Sequence, residues 1–263
     1  MLSVAIIARD EERHIGGALA SVAGLASEVV VLLDSRTRDR TAAICRAYGA
    51  RVVVGPWRSF PAQRNRALAL CRGDWVLFLD ADERVSDELH DEIRAVLAGD
   101  GRPKAEDAPL SPGAGRCAGY WIPRYNRFFG RTLRGGGWYP DYQLRLLRRD
   151  RARYDEARLV HEYAELDGAA GYLAGHVIHL NIERLDELWH KQTGYALQEA
   201  QMLYLAGRRA RWRNLVGAPL REFRRRYVEL GGYRDGVLGL FLCATLAYFE
   251  WVKFVHLKGL ERL

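Results

Sequence analysis

Short apolar runs alternate with helical stretches through the first hundred residues, and that alternation leaves few folds open. Ser3–Ala8 is apolar, and a helical stretch follows from about His14 to Gly24. Glu28–Leu33 is a valine and leucine run, followed by a helix from about Asp39 to Tyr48. Arg51–Val54 with Phe60–Cys71, then Trp75–Leu79 with Ser86–Leu97, repeat the order twice more, and Ser86 suits an N-cap. Strands that alternate with helices pair in parallel through right-handed crossovers. Strands apolar at nearly every position fit a sheet covered on both faces. The predicted class is α/β, a sheet flanked by helices.

The rest of the chain changes character. Gly99–Gly115 holds Gly, Pro, Ser, Asp and Lys with few apolar residues and reads as a loop. Strand patterns resume at Gly119–Pro123 and Gln143–Arg148 and extend the sheet with mixed polarity. From about Leu185 the pattern is helical to the end. The predicted organisation is therefore a sheet domain over 1–182 and a helical extension over 183–263.

The start, Met1–Ala8, is apolar but has no basic leader and is cut short by Arg9-Asp10-Glu11-Glu12, so a buried strand is expected rather than a signal peptide. Cys45, Cys71, Cys117 and Cys243 form no CxxC pair and have no histidine cluster beside them, which argues against zinc or a disulfide framework and for a reducing, cytoplasmic setting. A net charge of +7 favours anionic partners: nucleic acid, nucleotide phosphates or an anionic membrane face.

Open parallel sheets bind ligands beyond the carboxyl ends of their strands. Acids follow three of those ends here: Asp10 and Glu11 after strand one, Asp34 after strand two, Asp80-Ala81-Asp82 after strand four. In extended chain, residues two apart share a face, so Asp80 and Asp82 are expected side by side. Paired carboxylates with substrate phosphates suit magnesium or manganese, and such a metal offsets charge on a departing nucleoside diphosphate. No GxGxxG follows strand one and no GxxxxGK[ST] occurs, which lowers dehydrogenase, methyltransferase and nucleoside-triphosphatase readings.

These motifs resemble family 2 glycosyltransferases of the GT-A fold, and more narrowly the bacterial lipopolysaccharide core β-glucosyltransferase group. The matching text is Ala8–Glu12, Asp34–Thr41, Gln63–Leu68, Gly73–Arg84, Gly135–Asp141, Val160-His161-Glu162 and His179. The resemblance implies a GT-A mixed sheet with a C-terminal helical extension and an inverting, metal-dependent hexosyltransferase with a nucleotide-sugar donor, UDP-linked above others. It implies that Ala8, Arg9, Asp10, Glu11 and Asp34 lie at the uracil and ribose. Arg64 would lie near the diphosphate, and Asp80, Ala81 and Asp82 at ribose and metal. Gly135, Gly136, Gly137 and Trp138 would form a flexible loop near donor and acceptor. His179 would complete the metal site, against a second reading as a satisfied core histidine. Glu162 fits the catalytic base, with Asp141 as rival in its aromatic stretch. Asp10 departs from the more usual Asn, and Arg36 and Arg38 stand where small residues are more usual. Trp121, Tyr125, Phe128 and Phe129 read equally as core or acceptor platform, Arg131 and Arg134 as acceptor-phosphate contacts or solvated loop, and His161 and His176 as structural hydrogen-bonders.

Val237–Leu257 is as long as a membrane span of roughly 20 residues, but Glu250 and Lys253 interrupt it. The expectation is an interfacial helix with the arginines of 208–227 against anionic headgroups, placing the protein peripherally on the inner face of the cytoplasmic membrane. A soluble helical cap or an oligomer interface is the competing reading. The acceptor class expected is a glycolipid or lipopolysaccharide-type hydroxyl. A polyprenyl-phosphate sugar transferase is the alternative within the class, and a non-catalytic basic nucleic-acid-binding module the alternative outside it. No recognised nucleic-acid motif supports the last.

Overall fold

The structure, a computed structural model, describes residues 1–99, 117–157 and 163–261. Its elements are β1 (Leu2–Ala8), α1 (Ile15–Ser21), β2 (Glu28–Asp34), α2 (Thr41–Ala47), β3 (Arg51–Gly55), α3 (Phe60–Leu70), β4 (Trp75–Phe78), β5 (Glu83–Val85) and α4 (Asp87–Ala98). There follow β6 (Cys117–Phe128), β7 (Arg131–Thr132), β8 (Tyr142–Arg148), β9 (Ala152–Arg153), β10 (Glu165–Leu166), β11 (Ala169–Tyr172) and β12 (Val177–Ile182). The chain ends in α5 (Leu185–Leu205), α6 (Trp212–Arg224) and α7 (Gly236–Leu260). The four strand–helix repeats fall where the periodicity placed them. The loop expected over Gly99–Gly115 lies outside the described residues apart from Gly99.

Two compact units divide the chain: residues 1–124 with 142–179, and residues 125–141 with 180–263. In the first unit the strand order is β3-β2-β1-β4-β8-β6. The members β3, β2, β1 and β4 run parallel, and β8 joins β4 and β6 antiparallel. The sheet is mixed, α/β in class, as expected. β1 and β4 are buried almost throughout because apolar side chains on both faces meet cover, Ile6 and Leu77 in one cluster with Ile15 and Ile93, Ala5 and Phe78 in the other with Leu68 and Tyr154. After β1 the chain crosses to β2 on one side, and β4 returns on the other, so the C-terminal ends of β1 and β4 bound the point where strand order reverses.

Local chemistry sets the helix limits. Ser59 and Ser86 cap α3 and α4, each hydroxyl accepting from the backbone N–H three residues on, at 3.3 Å. Asp87 and Glu88 lie in the first turn of α4, where the helix dipole favours negative charge. Gly99 closes α4 in the left-handed conformation at φ 85°. Leu89, Ile93 and Val96 of α4 are buried at helical spacing.

In the second unit, the end of β6 forms a hairpin with β7. A small core of Phe128, Leu133, Ile182, Leu188 and Leu242 packs there with Trp138 and Leu238. α7 lies against both α5 and α6 and buries Leu242, Cys243, Thr245, Phe249 and Leu257. All four cysteines are buried free thiols.

Candidate functional site

The acids at the strand ends are held by distinct partners. Asp10 adopts φ 52°, a left-handed conformation that Asp and Asn tolerate better than most residues. Its Oδ1 accepts from Arg38 N at 2.8 Å, Glu11 N donates to Thr41 Oγ1 at 2.7 Å, and Glu12 N to Asp39 Oδ2 at 2.9 Å. The segment after β1 is thus stitched to the start of α2, with Arg9 beside Asp10 at 3.4 Å. Glu11 is partly buried, and burial first, then Asp82, Asp39, Asp80 and Asp10, push its carboxyl up to about 7. Those perturbing charges place Glu11 in the field of the Asp80-Ala81-Asp82 turn.

Asp34 is buried at the end of β2 beneath the more exposed Arg36, which donates through its backbone N and its guanidinium, Nη2 at 2.6 Å. The hydrogen bonds from Arg36 pull Asp34 down to about 2. What this strand end presents is the Arg36–Asp34 ion pair rather than a bare carboxylate, a relationship the sequence reading missed although the two residues are only two apart.

The Asp80–Asp82 segment departs from expectation. β4 ends at Phe78, and Asp80 and Asp82 lie in a turn before β5 rather than in extended chain. Glu83 N donates to Asp80 O at 3.0 Å, and Asp80 N donates to the Glu83 side chain at 2.9 Å, which bends the backbone. The two carboxylates consequently have different neighbours. Asp80 is gripped by Arg145 through both Nη atoms, and Arg64 Nη2 stands 4.0 Å from its Oδ1. Burial alone would raise the Asp80 pKa, but Arg145, Arg64 and Arg124 together outweigh it and hold the carboxyl well below the usual range. Asp82 instead faces His179, with Nε2 3.2 Å from Oδ2. Burial opposes its ionisation too, and the hydrogen bond and charge of His179 outweigh it and keep Asp82 below the ordinary value.

Glu83, fully buried, is the fulcrum of the turn, with Arg124 and Arg145 each 3.3 Å from its Oε1. Arg84 fastens the turn from the other side, donating to Ala81 O at 3.0 Å and to His14 O at 2.9 Å. Its guanidinium explains Gly17, where a Cβ would come within 2.5 Å of it. In α3, Arg64 lies over the rings of Phe78 and Tyr154. Asn65 exchanges two 2.8 Å bonds with the Tyr154 backbone, and Gln63 donates to Pro56 O. The Gln63–Arg66 text therefore mixes one residue aimed at Asp80 with two that anchor the helix. Glu83, Arg124 and Arg145 were not singled out from sequence, yet an arginine between Leu144 and Leu146 was a signal, because a buried guanidinium needs a buried acid.

Asp82 and His179 are the residues with the chemistry to hold a divalent cation. Their 3.2 Å separation suits two neighbouring ligands of one ion, each bonded at about 2.1 Å. No cluster of three or more His, Cys, Asp or Glu fit for a metal occurs among the described residues, so the remaining ligands would come from phosphate oxygens and water.

In the second unit, Gly136 and Gly137 adopt φ 66° and 84°, and a Cβ at Gly135 would lie 2.0 Å from Gly231 O. The Asp235 carboxylate accepts from Arg134 N and Gly135 N, Leu230 O from Gly136 N, and Arg226 donates to Gly136 O and lies 5.5 Å over the Trp138 ring. Asp141 Oδ2 accepts from the buried Asn126 at 3.0 Å. Phe128 and Phe129 join the core, and Tyr125 pairs with Tyr139 at 5.2 Å. Arg131 lies in β7. In the first unit Trp121 stacks on Tyr172 at 6.4 Å, and His176 O accepts from Ser86 N. His161 and Glu162 lie outside the described residues.

The glycosyl transferase family 2 model matches residues 3–150, more than half of the chain, which takes in β1 from Ser3 through β4 and the acids that follow β1, β2 and β4. The chain belongs to this family. The lipopolysaccharide core biosynthesis glycosyltransferase LpsC of Rhizobium meliloti is 29% identical over 262 residues, covering 95% of this chain and 89% of that protein. An uncharacterized glycosyltransferase of Rickettsia bellii is 42% identical over 97 residues, 37% of this chain and 33% of its own length. Among solved structures, glucosyl-3-phosphoglycerate synthase from Mycobacterium tuberculosis, crystallised with Mn2+ and UDP-glucose, is 20% identical over 79% of each chain, with a TM-score of 0.41. TarS of S. aureus, residues 1–349 with UDP-GlcNAc, is 15% identical over 99% of this chain and 90% of that one, with a TM-score of 0.46. The assignment as a glycosyltransferase thus agrees with the sequence reading.

Proposed function

We propose that this glycosyltransferase moves a sugar from a nucleoside-diphosphate donor, UDP-linked, to a hydroxyl of a glycolipid or lipopolysaccharide-type acceptor, with inversion. The observation that carries the reading is the Asp82–His179 pair beside the arginine clamp on Asp80, at the strand-order reversal between the parallel strands β1 and β4 of a mixed sheet. Asp10, Glu11 and the Arg36–Asp34 pair line the same strand ends and suit uracil and ribose. Arg64 is a cation for the diphosphate. Asp82 and His179 would hold magnesium or manganese. When bound, the metal offsets charge on the departing diphosphate.

A base must take the acceptor proton as the hydroxyl attacks the anomeric carbon opposite the leaving group. Glu162 is assigned that role on the family resemblance, with Asp141 as the rival carboxylate. Gly135, Gly136, Gly137 and Trp138 are assigned to the loop near the acceptor. A lipid-linked acceptor brings an anionic, cytoplasm-facing membrane surface as partner. Likeness to a lipopolysaccharide core enzyme along nearly the whole chain supports this acceptor over polyprenyl phosphate.

The test is a thermal-shift screen of UDP-, GDP- and dTDP-sugars with and without Mg2+ or Mn2+, followed by assay of diphosphate release. Ligand binding raises the melting temperature with concentration over dissociation constant. Metal-dependent stabilisation by a UDP-sugar is expected, and no response to any nucleotide with either metal would overturn the donor assignment.

A further inference from the structure

The chain's net charge of +7 is concentrated in one short stretch. Residues 208–226 hold eight arginines against Glu222 alone, so this stretch carries the whole net charge and the remainder is balanced. The same stretch contains α6, whose side chains divide sharply. Ala218 is buried, while Trp212, Val216 and Leu220 are 76%, 59% and 64% exposed. A step of four residues places these three along one face of the helix. Arg213, Arg221 and Arg224 are also exposed, and at 100° per residue they fall beside that stripe. Leu205, just before the arginine run, is 76% exposed. Arg208, Arg209, Arg213 and Arg221 have no acidic partner among the described residues.

An apolar stripe with a tryptophan at its end and arginines along its flank is the pattern of a helix lying in a bilayer interface. We propose that α6, with the loop before it, is the membrane-docking element, lying flat on an anionic lipid surface with Trp212, Val216 and Leu220 among the acyl chains. This deepens the reading of a lipid-linked acceptor, although the docking needs no catalysis. It assigns the contact to α6 rather than to α7. α7 lies in a helical stretch that is long and apolar enough to cross a membrane. Two of its charged residues, Glu250 and Lys253, are spent inside the unit, however: Lys253 meets Glu250 at 2.5 Å and Glu199 at 3.1 Å, and its inner face packs on α5 and α6. A second copy of the chain is a poor occupant, because pairing through this face sets like charge against like charge.

The experiment is co-sedimentation of the full chain with vesicles of phosphatidylcholine alone or mixed with phosphatidylglycerol. Binding is expected only with phosphatidylglycerol and should weaken with salt. Arg209→Glu with Arg213→Glu, and separately Trp212→Ser with Val216→Ser and Leu220→Ser, should each reduce partitioning by about tenfold or more. Each variant should keep the wild-type melting temperature and response to UDP with Mn2+, which separates this failure from loss of fold or of donor binding. Wild type that ignores phosphatidylglycerol vesicles overturns the proposal, as does a serine variant that binds them like wild type. Tight binding to a DNA duplex without vesicle binding, or dimerisation lost in the serine variant, overturns it in favour of nucleic acid or a second copy.

Discussion

His179 Nε2 stands 3.2 Å from Asp82 Oδ2, although the two residues are 97 apart in the chain. β12 runs antiparallel to β5, His179 opposite Glu83, and this pairing delivers the imidazole to the turn. His179→Ala and Asp82→Asn should each weaken Mn2+ binding in the presence of UDP by at least about tenfold. The folded state should lose little, since one hydrogen bond contributes about 1 kcal/mol. Calorimetric titration of Mn2+ into the protein with saturating UDP is the check, and unchanged affinity in both variants would remove the pair from the metal site.

Glu83 supports that turn from below. Removing one partner of a buried ion pair leaves uncompensated charge and costs about 3–5 kcal/mol. Glu83→Ala takes one carboxylate from Arg145, which keeps Asp80, and one from Arg124, and it also deprives Asp80 N of its acceptor. Urea denaturation should show a loss in that range. A change below about 1 kcal/mol would mean that Asp80 alone satisfies the arginines.

The strand ends were legible because an apolar run that stops at an acid marks both the strand and its mouth. Asp10, Glu11, Asp34 and Asp80 could be found in this way. Their partners could not. Arg145 reaches Asp80 and Glu83 only because β8 inserts antiparallel beside β4, a pairing that no local pattern announces. The shared face expected for Asp80 and Asp82 failed because the Glu83 side chain, three residues on, bonds back to Asp80 N and converts strand into turn. Arg36 was the opposite case, a local partner for Asp34 that the two-residue spacing offered but that was missed. His179 was expected from family resemblance, since neither its run nor its spacing points to Asp82.

Glu11 gives the fold a pH dependence. Its carboxyl is raised from 4.5 to about 7, so the folded state binds this proton more tightly than the unfolded chain does. The corresponding stability is fully present below about pH 4.5 and is lost as pH rises through about 7. Glu11→Gln cannot ionise. It should match wild type near pH 4 and exceed it near pH 8 by on the order of 1 kcal/mol, after solvent screening of a part-exposed group. Denaturation curves across this range at fixed ionic strength test the sign, and a variant less stable than wild type at high pH would contradict it.

Asn126 decides how the Asp141 variant should be read. Its Nδ2 donates to Trp138 O and to Asp141 Oδ2, each at 3.0 Å. Its Oδ1 accepts from Asn181 Nδ2 at 3.2 Å, and Lys191 Nζ donates to Asn181 Oδ1 at 2.9 Å. Asp141 therefore belongs to a chain of hydrogen bonds that braces the Trp138–Asp141 turn. Asp141→Asn keeps an oxygen for Asn126 while it removes the charge and turns the other oxygen into an NH2 donor. If bracing is its role and Glu162 is the base, this variant should retain turnover within about threefold, as expected for one neutral hydrogen bond replacing a charged one. Glu162→Gln should lower kcat by about 10²–10⁴-fold while stabilisation by UDP-sugar and metal is unchanged. The reverse result, collapse of kcat in Asp141→Asn with near-normal Glu162→Gln, would transfer the base to Asp141. Asn126→Ala separates the two roles further. It should lower the melting temperature in either case, but it should move the acidic limb of the kcat profile upward only if Asp141 is the base, because the carboxylate would then have lost a donor that favours its charged form.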